Sequence, residues 1–232
     1  VCRMSVISIS KREELRRLAE SARDKKAPYG EDIDLSIFEE PEERKGIEDL
    51  SKLPPEIQDL AVSSGIDITE RDRAGSFVQL DHSVIYQKIQ AAYKGQLEIM
   101  SITDALEKYP ELEEYWWKAV RVDQDKYTAY AELYPVHGYF IRIFPGQKVD
   151  RAIQACLLLE ENAKAQNVHN IIIVEEGASA QVITGCSIAP RVKEGLHIGI
   201  SEFYVKKGAK LVFTMIHNWA EGFHVRPRTG II

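Results

Sequence analysis

Two residues able to ligate metals or carry sulfur, Cys186 and His217, stand at equivalent places in a repeating pattern. Three turn triplets, Phe144-Pro145-Gly146, Glu175-Glu176-Gly177 and Lys206-Lys207-Gly208, each open an apolar, β-rich string. Their glycines are evenly spaced, at 177 − 146 = 31 and 208 − 177 = 31. With the units aligned on these glycines, the ninth position holds Ala155, Cys186 and His217 in turn, and Cys156 follows Ala155. If the units stack, Cys186 and His217 become neighbours, and a thiolate beside an imidazole suits iron, zinc or copper. The alternative is a buried cysteine acting as a small hydrophobe beside a hydrogen-bonded histidine. The residues by themselves favour that second reading.

Cys186 follows Thr184-Gly185 and precedes Ser187-Ile188-Ala189-Pro190, so a strand is expected to end there with the thiol beside a turn, within reach of a partner. Cys156, inside the apolar string Ala155–Leu159, reads as core, and Cys2 takes no role. Trp116 and Trp117 read as helix-packing residues, and His82 and His137 as loop or turn residues. The cluster His224, Arg226 and Arg228 reads as a solvated edge in preference to an anion site. The chain holds no Gly-x₄-Gly-Lys-Ser/Thr motif for a nucleotide phosphate.

The elements that must position these residues divide near residue 135. Residues 1–135 read as a helical and mixed α+β region. It has a charged helix over Arg12–Lys25, an extended, mobile acidic arm over Glu31–Lys52, and a short helix over Leu53–Ser63. Arg71–Tyr93 mixes strand and helix signals. Ile102–Ala119 reads as two helical segments, with Thr103 as the first cap and Pro110 restarting the second. From residue 136 to 232 the expectation is a partial β-helix core. Its strands are placed at Tyr139–Phe144, Ala152–Leu159, Ile171–Val174, Ala180–Thr184, His197–Val205 and Leu211–Ile216. Several are apolar on both faces, as strands covered on both sides are. Equal spacing of turn glycines favours a β-solenoid over a β-sandwich. The third unit has only 232 − 208 = 24 residues after its glycine and ends on an apolar string. The expectation is a chain cut short at its C-terminus or self-associating there.

Bulk properties narrow the function classes. The 232 residues hold 36 acidic and 30 basic side chains, a formal charge of −6 that gives little general attraction for nucleic acid. No run approaches the roughly 20 apolar residues of a membrane span, and no apolar leader is visible. Three widely spaced cysteines argue against a disulfide framework and point to the reducing cytoplasm.

An ordered series of residues now resembles a known family. It runs from the strand Ile171–Val174 into Glu175-Glu176-Gly177, then through Thr184-Gly185-Cys186-Ser187-Ile188-Ala189-Pro190, Glu194-Gly195-Leu196-His197 and His217-Asn218-Trp219. This resembles the core of the SufB/SufD proteins, where Glu-Gly-Cys-x-Ala-Pro is followed by a histidine and Gln-Asn-Trp. Asp72–His82 is similar to the archaeal-type N-terminal part. The resemblance implies a right-handed parallel β-helix and a SufB-like scaffold for iron–sulfur cluster assembly, not itself an enzyme. The partners it implies are a SufC-type ATPase, a SufB/SufD paralogue or second copy, and a cysteine desulfurase with its sulfur relay. By position, Cys186 matches the sulfur-accepting cysteine, which together with His217 forms the candidate metal pair. His217 and Trp219 match the Gln and Trp of the last motif, the candidate positions for contact with a transient iron–sulfur cluster. Thr184 stands where the family has glutamate, His217 where it has glutamine, and an arginine of the preceding strand is missing. These departures support the alternative, a SufD-like structural partner that builds no cluster. A β-helix enzyme acting on polysaccharide would need acids clustered on one face. Glu175-Glu176 at a turn does not supply them.

Overall fold

The computed structural model describes residues 8–232, and Cys2 lies outside them. Four helices, α1 (Ile9–Ser21), α2 (Pro55–Ser63), α3 (Ile102–Lys108) and α4 (Lys126–Leu133), are all found before residue 134. Ten strands follow the chain: β1 (Arg73–Leu80), β2 (Ser83–Ile89), β3 (Leu97–Ser101), β4 (Tyr139–Ile143) and β5 (Ala152–Leu159), then β6 (Lys164–Val174), β7 (Ser179–Ile188), β8 (Gly195–Val205), β9 (Lys210–Asn218) and β10 (His224–Ile231). The protein is mainly β. The strands form two mixed five-stranded sheets, ordered β2-β1-β5-β7-β9 and β10-β8-β6-β4-β3.

From β4 onward, successive strands alternate between the sheets, and each pairs in parallel with the strand two before or after it. Register follows the glycine period in three of these pairs: Phe140↔Ile171, Lys164↔Gly195 and Ser179↔Lys210 are each 31 apart. Gly146, Gly177 and Gly208 adopt φ of +72°, +67° and +67°, and they stack at the corner between the sheets. Only glycine enters that left-handed region without a Cβ penalty, which explains why the corner recurs as glycine. The spacing is not uniform elsewhere. Ile153↔Val182 is 182 − 153 = 29 and Leu196↔His224 is 224 − 196 = 28. Alignment on glycines therefore misplaces β5: Ala155 pairs with Thr184, and the residue beside Cys186 is Leu157.

Strands β1–β3, from before residue 136, join the same two sheets. β1 runs parallel to β5, and the antiparallel strands β2 and β3 close the two sheets at this end. The inward faces meet in one apolar layer that includes Phe77, Ile141, Ile153, Leu157, Ile172 and Val182. Helix α2 covers the outside of the first sheet, and α1, α4 and the residues around Trp116 cover the outside of the second. Both faces of the central strands are thus buried, as the continuous apolar strings required.

Local signals explain most of the element ends. Ser8 caps α1 by accepting the Lys11 N–H, Pro55 opens α2, and Asp125 with Thr128 forms a reciprocal capping box on α4. Ser101, and not Thr103, caps α3, since its hydroxyl accepts the Asp104 N–H. Residues 71–93 form the β1–β2 hairpin, with no helix before the short 3₁₀ turn at Ala91–Tyr93. Trp116 and Trp117 lie in a turn and not in a helix. Trp117 has φ of +56° and is held there by a carboxylate that accepts its N–H. The acid-rich segment is extended and tied down by Arg44, whose guanidinium meets Asp81, Glu160 and Glu161, and by the Ile47 N–H donated to the Ile85 carbonyl.

Candidate functional site

Cys186 and His217 are direct partners on the adjacent parallel strands β7 and β9, so their side chains leave the same face of the first sheet. Cys186 belongs to the apolar layer between the sheets, and Trp219 packs against that layer from just past β9. The Trp219 ring lies 5.8 Å from the His217 ring and 5.1 Å from that of His197, which β8 brings in from the opposite sheet. Phe223 stacks on Trp219 at 5.1 Å with the planes 3° apart, fixing the indole. A thiol, two imidazoles and an indole are thus brought into one region by three strands and a turn.

Gly185, in the middle of the Thr184-Gly185-Cys186 motif, serves packing. A Cβ there would lie 2.3 Å from the Ser64 carbonyl oxygen, so the missing side chain lets the end of α2 rest against β7. Thr184 faces inward, where its hydroxyl meets the Tyr139 hydroxyl at 2.9 Å. A neutral hydroxyl pair therefore occupies the buried position that precedes the thiol on the same face of its own strand.

The expected accessible thiol is not found. Cys186 is only 1% exposed, because its strand continues to Ile188 and its side chain turns inward. Burial pushes its pKa up to about 12, since a thiolate there would lose its hydration without gaining a cation. Cys156 faces the opposite side of the same sheet in an apolar cluster with Val78 and Leu158, and burial raises it as well. We expect both thiols to alkylate at least a hundredfold more slowly than a denatured control at pH 7.5, as followed by peptide mass spectrometry. Rapid alkylation of Cys186 in folded protein would show that the site opens spontaneously.

His197 is held neutral in one tautomer. The Gln166 amide donates to the Asp81 and Leu158 carbonyls, which fixes its oxygen toward His197 Nδ1 at 2.8 Å. Nδ1 therefore carries the hydrogen and Nε2 keeps its lone pair. Burial, followed by the proximity of His217, lowers the His197 pKa to about 3. His217, at the exposed edge strand, is also lowered by desolvation. Trp219 Nε1 is buried without a hydrogen-bond partner. Among the described residues no group of three or more His, Cys, Asp or Glu is arranged to hold a metal ion. Cys186 and His217 supply two donors, and a tetrahedral centre needs two more.

Other residues singled out by type have structural partners. Trp116 stacks on His169 at 4.0 Å, and His82 stacks on His137 at 4.5 Å while donating from Nε2 to the Ala165 carbonyl. Arg228 is paired with buried Asp125, and Arg226 lies over the Tyr127 ring, so this basic group belongs to β10 packing. Glu175 pairs with Arg142. Two features had no clear sequence signal, the Gln166–His197 contact and a buried His169–Glu202 pair at 2.7 Å. Residues 164–170 look too polar for a covered strand, yet Gln166, Asn167, His169 and Asn170 are all buried in β6.

Residues 157–231 match the family model described as "SUF system FeS cluster assembly, SufBD core domain". An iron–sulfur cluster assembly SufBD family protein of Methanothermobacter thermautotrophicus (strain Winter) is 47% identical over 220 residues, covering 92% of this chain and 53% of that protein. One from Archaeoglobus fulgidus is 47% identical over 167 residues, 72% of this chain and 44% of that protein. The iron–sulfur cluster assembly protein SufB of Bacillus subtilis is 27% identical over 194 residues, 82% of this chain and 42% of that protein. The chain spans about half the length of the relatives it matches.

Proposed function

The chain belongs to the SufBD family of iron–sulfur cluster assembly proteins, and on that premise we propose that it is a scaffold component through which sulfur enters the cluster, with Cys186 as the acceptor. The observation that carries this reading is the direct pairing of Cys186 with His217 inside the matched segment, with His197 and Trp219 closing the same region. We read the alternation of strands between two sheets, near the 31-residue period, as a right-handed parallel β-helix that holds the acceptor between its walls.

The chemistry is thiol–persulfide exchange. The Cys186 thiolate attacks the outer sulfur of a relay persulfide, the relay's S–S bond breaks, and its own sulfur leaves as a thiolate that takes up the proton released by Cys186. Cys186 ends as the persulfide, with no net oxidation. A thiol with a pKa near 12 inside an apolar layer does not start this reaction, so the site must open. In this reading a SufC-type ATPase partner supplies the opening, and a paralogue or second copy completes the assembly. A desulfurase and its relay deliver the sulfur, and the growing cluster is cargo. Catalysis resides on those partners, and the setting is the cytoplasm. Among the described residues no helix is long and apolar enough to cross a membrane.

Enclosure of Cys186 and the neutral Thr184–Tyr139 pair favour the second reading, a SufD-like partner that takes up no sulfur. The deciding experiment is anaerobic mass spectrometry of the protein with its ATPase partner after incubation with cysteine, desulfurase and relay. Persulfide is expected selectively on Cys186 and not in Cys186→Ser. Well-folded complex without persulfide at that position leaves the structural role.

A further inference from the structure

A cavity of about 400 Å³ lies where β1 begins and β2 ends, and its wall carries Arg71, Arg73, Lys88 and Arg151 against a single carboxylate, Glu70. In a chain of net charge −6 this is a local gathering of basic side chains, with Asp67 and Asp150 near Arg73 and Arg151 but not ion-paired to them. Lys88 is neutralised by Glu70 at 3.0 Å. Among the described residues, none of the three arginines forms an ion pair. Their partners are neutral. Arg73 donates from Nε to Gln154 Oε1 at 2.9 Å, from Nη1 to the Asp72 carbonyl at 3.2 Å and from Nη2 to the Gly65 carbonyl at 3.4 Å, and Arg151 donates to the Arg71 carbonyl at 2.6 Å. Such bonds orient a guanidinium without cancelling its charge, so the cost of ordering Arg73 and Arg151 is already met before an anion arrives.

Glu70 adds a second requirement. Its Oε2 accepts from the Tyr86 hydroxyl at 2.7 Å and from Lys88, whereas its Oε1 is buried with no partner in a residue only 9% exposed. A buried acceptor without a donor is costly, and turning the carboxylate toward the cavity to meet a ligand N–H or O–H would relieve that cost. We propose that this cavity binds a small phosphorylated molecule, its phosphate on Arg71, Arg73 and Arg151 and an ammonium or hydroxyl group on Glu70 Oε1. Phosphate suits the site better than carboxylate because three guanidinium forks share the cavity and a carboxylate offers only two oxygens. The site is remote from Cys186 in the fold and does not depend on the sulfur reading.

The test is isothermal titration calorimetry of the chain at constant ionic strength with phosphoethanolamine and with orthophosphate. Phosphoethanolamine is expected to bind saturably and several-fold more tightly than orthophosphate. The double variant Arg71→Gln, Arg151→Gln is expected to weaken it at least tenfold. Arg17→Gln, on exposed α1, controls for general attraction and should leave binding unchanged. The proposal is overturned by any of four results: no saturable binding, equal affinity for the two probes, a double variant that binds like the parent, or equal weakening by Arg17→Gln. Sedimentation with phosphatidylglycerol vesicles in the absence of small-molecule binding would assign the patch to a lipid surface and also overturn it.

Discussion

Glu202→Ala is expected to destabilise the protein by about 4 kcal/mol or more, enough to leave a marginally stable domain largely unfolded. Glu202 on β8 has no exposed surface, and five donors converge on its carboxylate. Oε1 accepts from the Ala119 and Val120 N–H groups at 2.6 and 3.0 Å and from the Tyr204 hydroxyl at 3.1 Å. Oε2 accepts from the Trp117 N–H at 2.9 Å and from His169 Nε2 at 2.7 Å. Burial alone would raise its pKa. The bonds from His169 and from the backbone outweigh burial and hold it below the usual carboxylate range.

Alanine would orphan three main-chain N–H groups and an imidazole, each costing about 1–3 kcal/mol when buried without a partner, while the Tyr204 hydroxyl would keep the Tyr115 carbonyl as its acceptor. It would also release Trp117 from its left-handed backbone, which a bulky residue does not hold unaided. Glu202→Gln keeps the shape but turns an amide N–H₂ toward donors, and about half the loss is expected. Urea denaturation followed by tryptophan fluorescence and circular dichroism measures both. An unfolding free energy for Glu202→Ala within about 1 kcal/mol of the parent would mean that this carboxylate does not hold the helical layer to the sheet.

His197→Gln is expected to flatten the acid limb of the stability curve. The folded state keeps His197 neutral down to about pH 3, whereas the unfolded chain protonates it near 6.5. A lowered folded pKa gives stability that is fully present above 6.5 and is lost as pH falls toward 3. The slope approaches about 1.4 kcal/mol per pH unit. His137, lowered by burial to about 4, adds loss in the same direction. Asp81 and Glu132, both raised by burial, act oppositely, since their contribution is present at low pH and declines as pH rises through their own range. The difference between parent and His197→Gln isolates the histidine. Stability measured from pH 7 to 4.5 should converge by about 2 kcal/mol between the two proteins as pH falls. Parallel curves would mean that His197 is hydrated or charged in the folded state.

The sequence was most informative where one residue type alone satisfies the backbone. The glycine corners at 146, 177 and 208 were visible because glycine alone takes their φ without a Cβ penalty, and three of the parallel strand pairs keep that 31-residue offset. Apolar strings marked β5, β8 and the second half of β6, since both faces of these strands are covered. The same rule hid the first half of β6. There Gln166, Asn167, His169 and Asn170 are buried because their partners come from distant segments, and polarity read alone suggests a loop. β10 was hidden similarly, because its arginines look like a wet edge until Asp125 and Tyr127 are folded against them.

By itself, then, the sequence determined the family through an ordered series of motifs, and the β-rich class and the adjacency of Cys186 and His217 through local backbone demands repeated at a fixed interval. Only the tertiary structure decided whether the thiol is open or enclosed, which tautomer His197 holds, and which carboxylate locks the helices to the sheet. Those depend on which side chains meet across sheets and layers. Desolvation and hydrogen bonding act through such meetings, and segments such as Glu202 and Ala119, 202 − 119 = 83 residues apart, carry no mark of them in sequence.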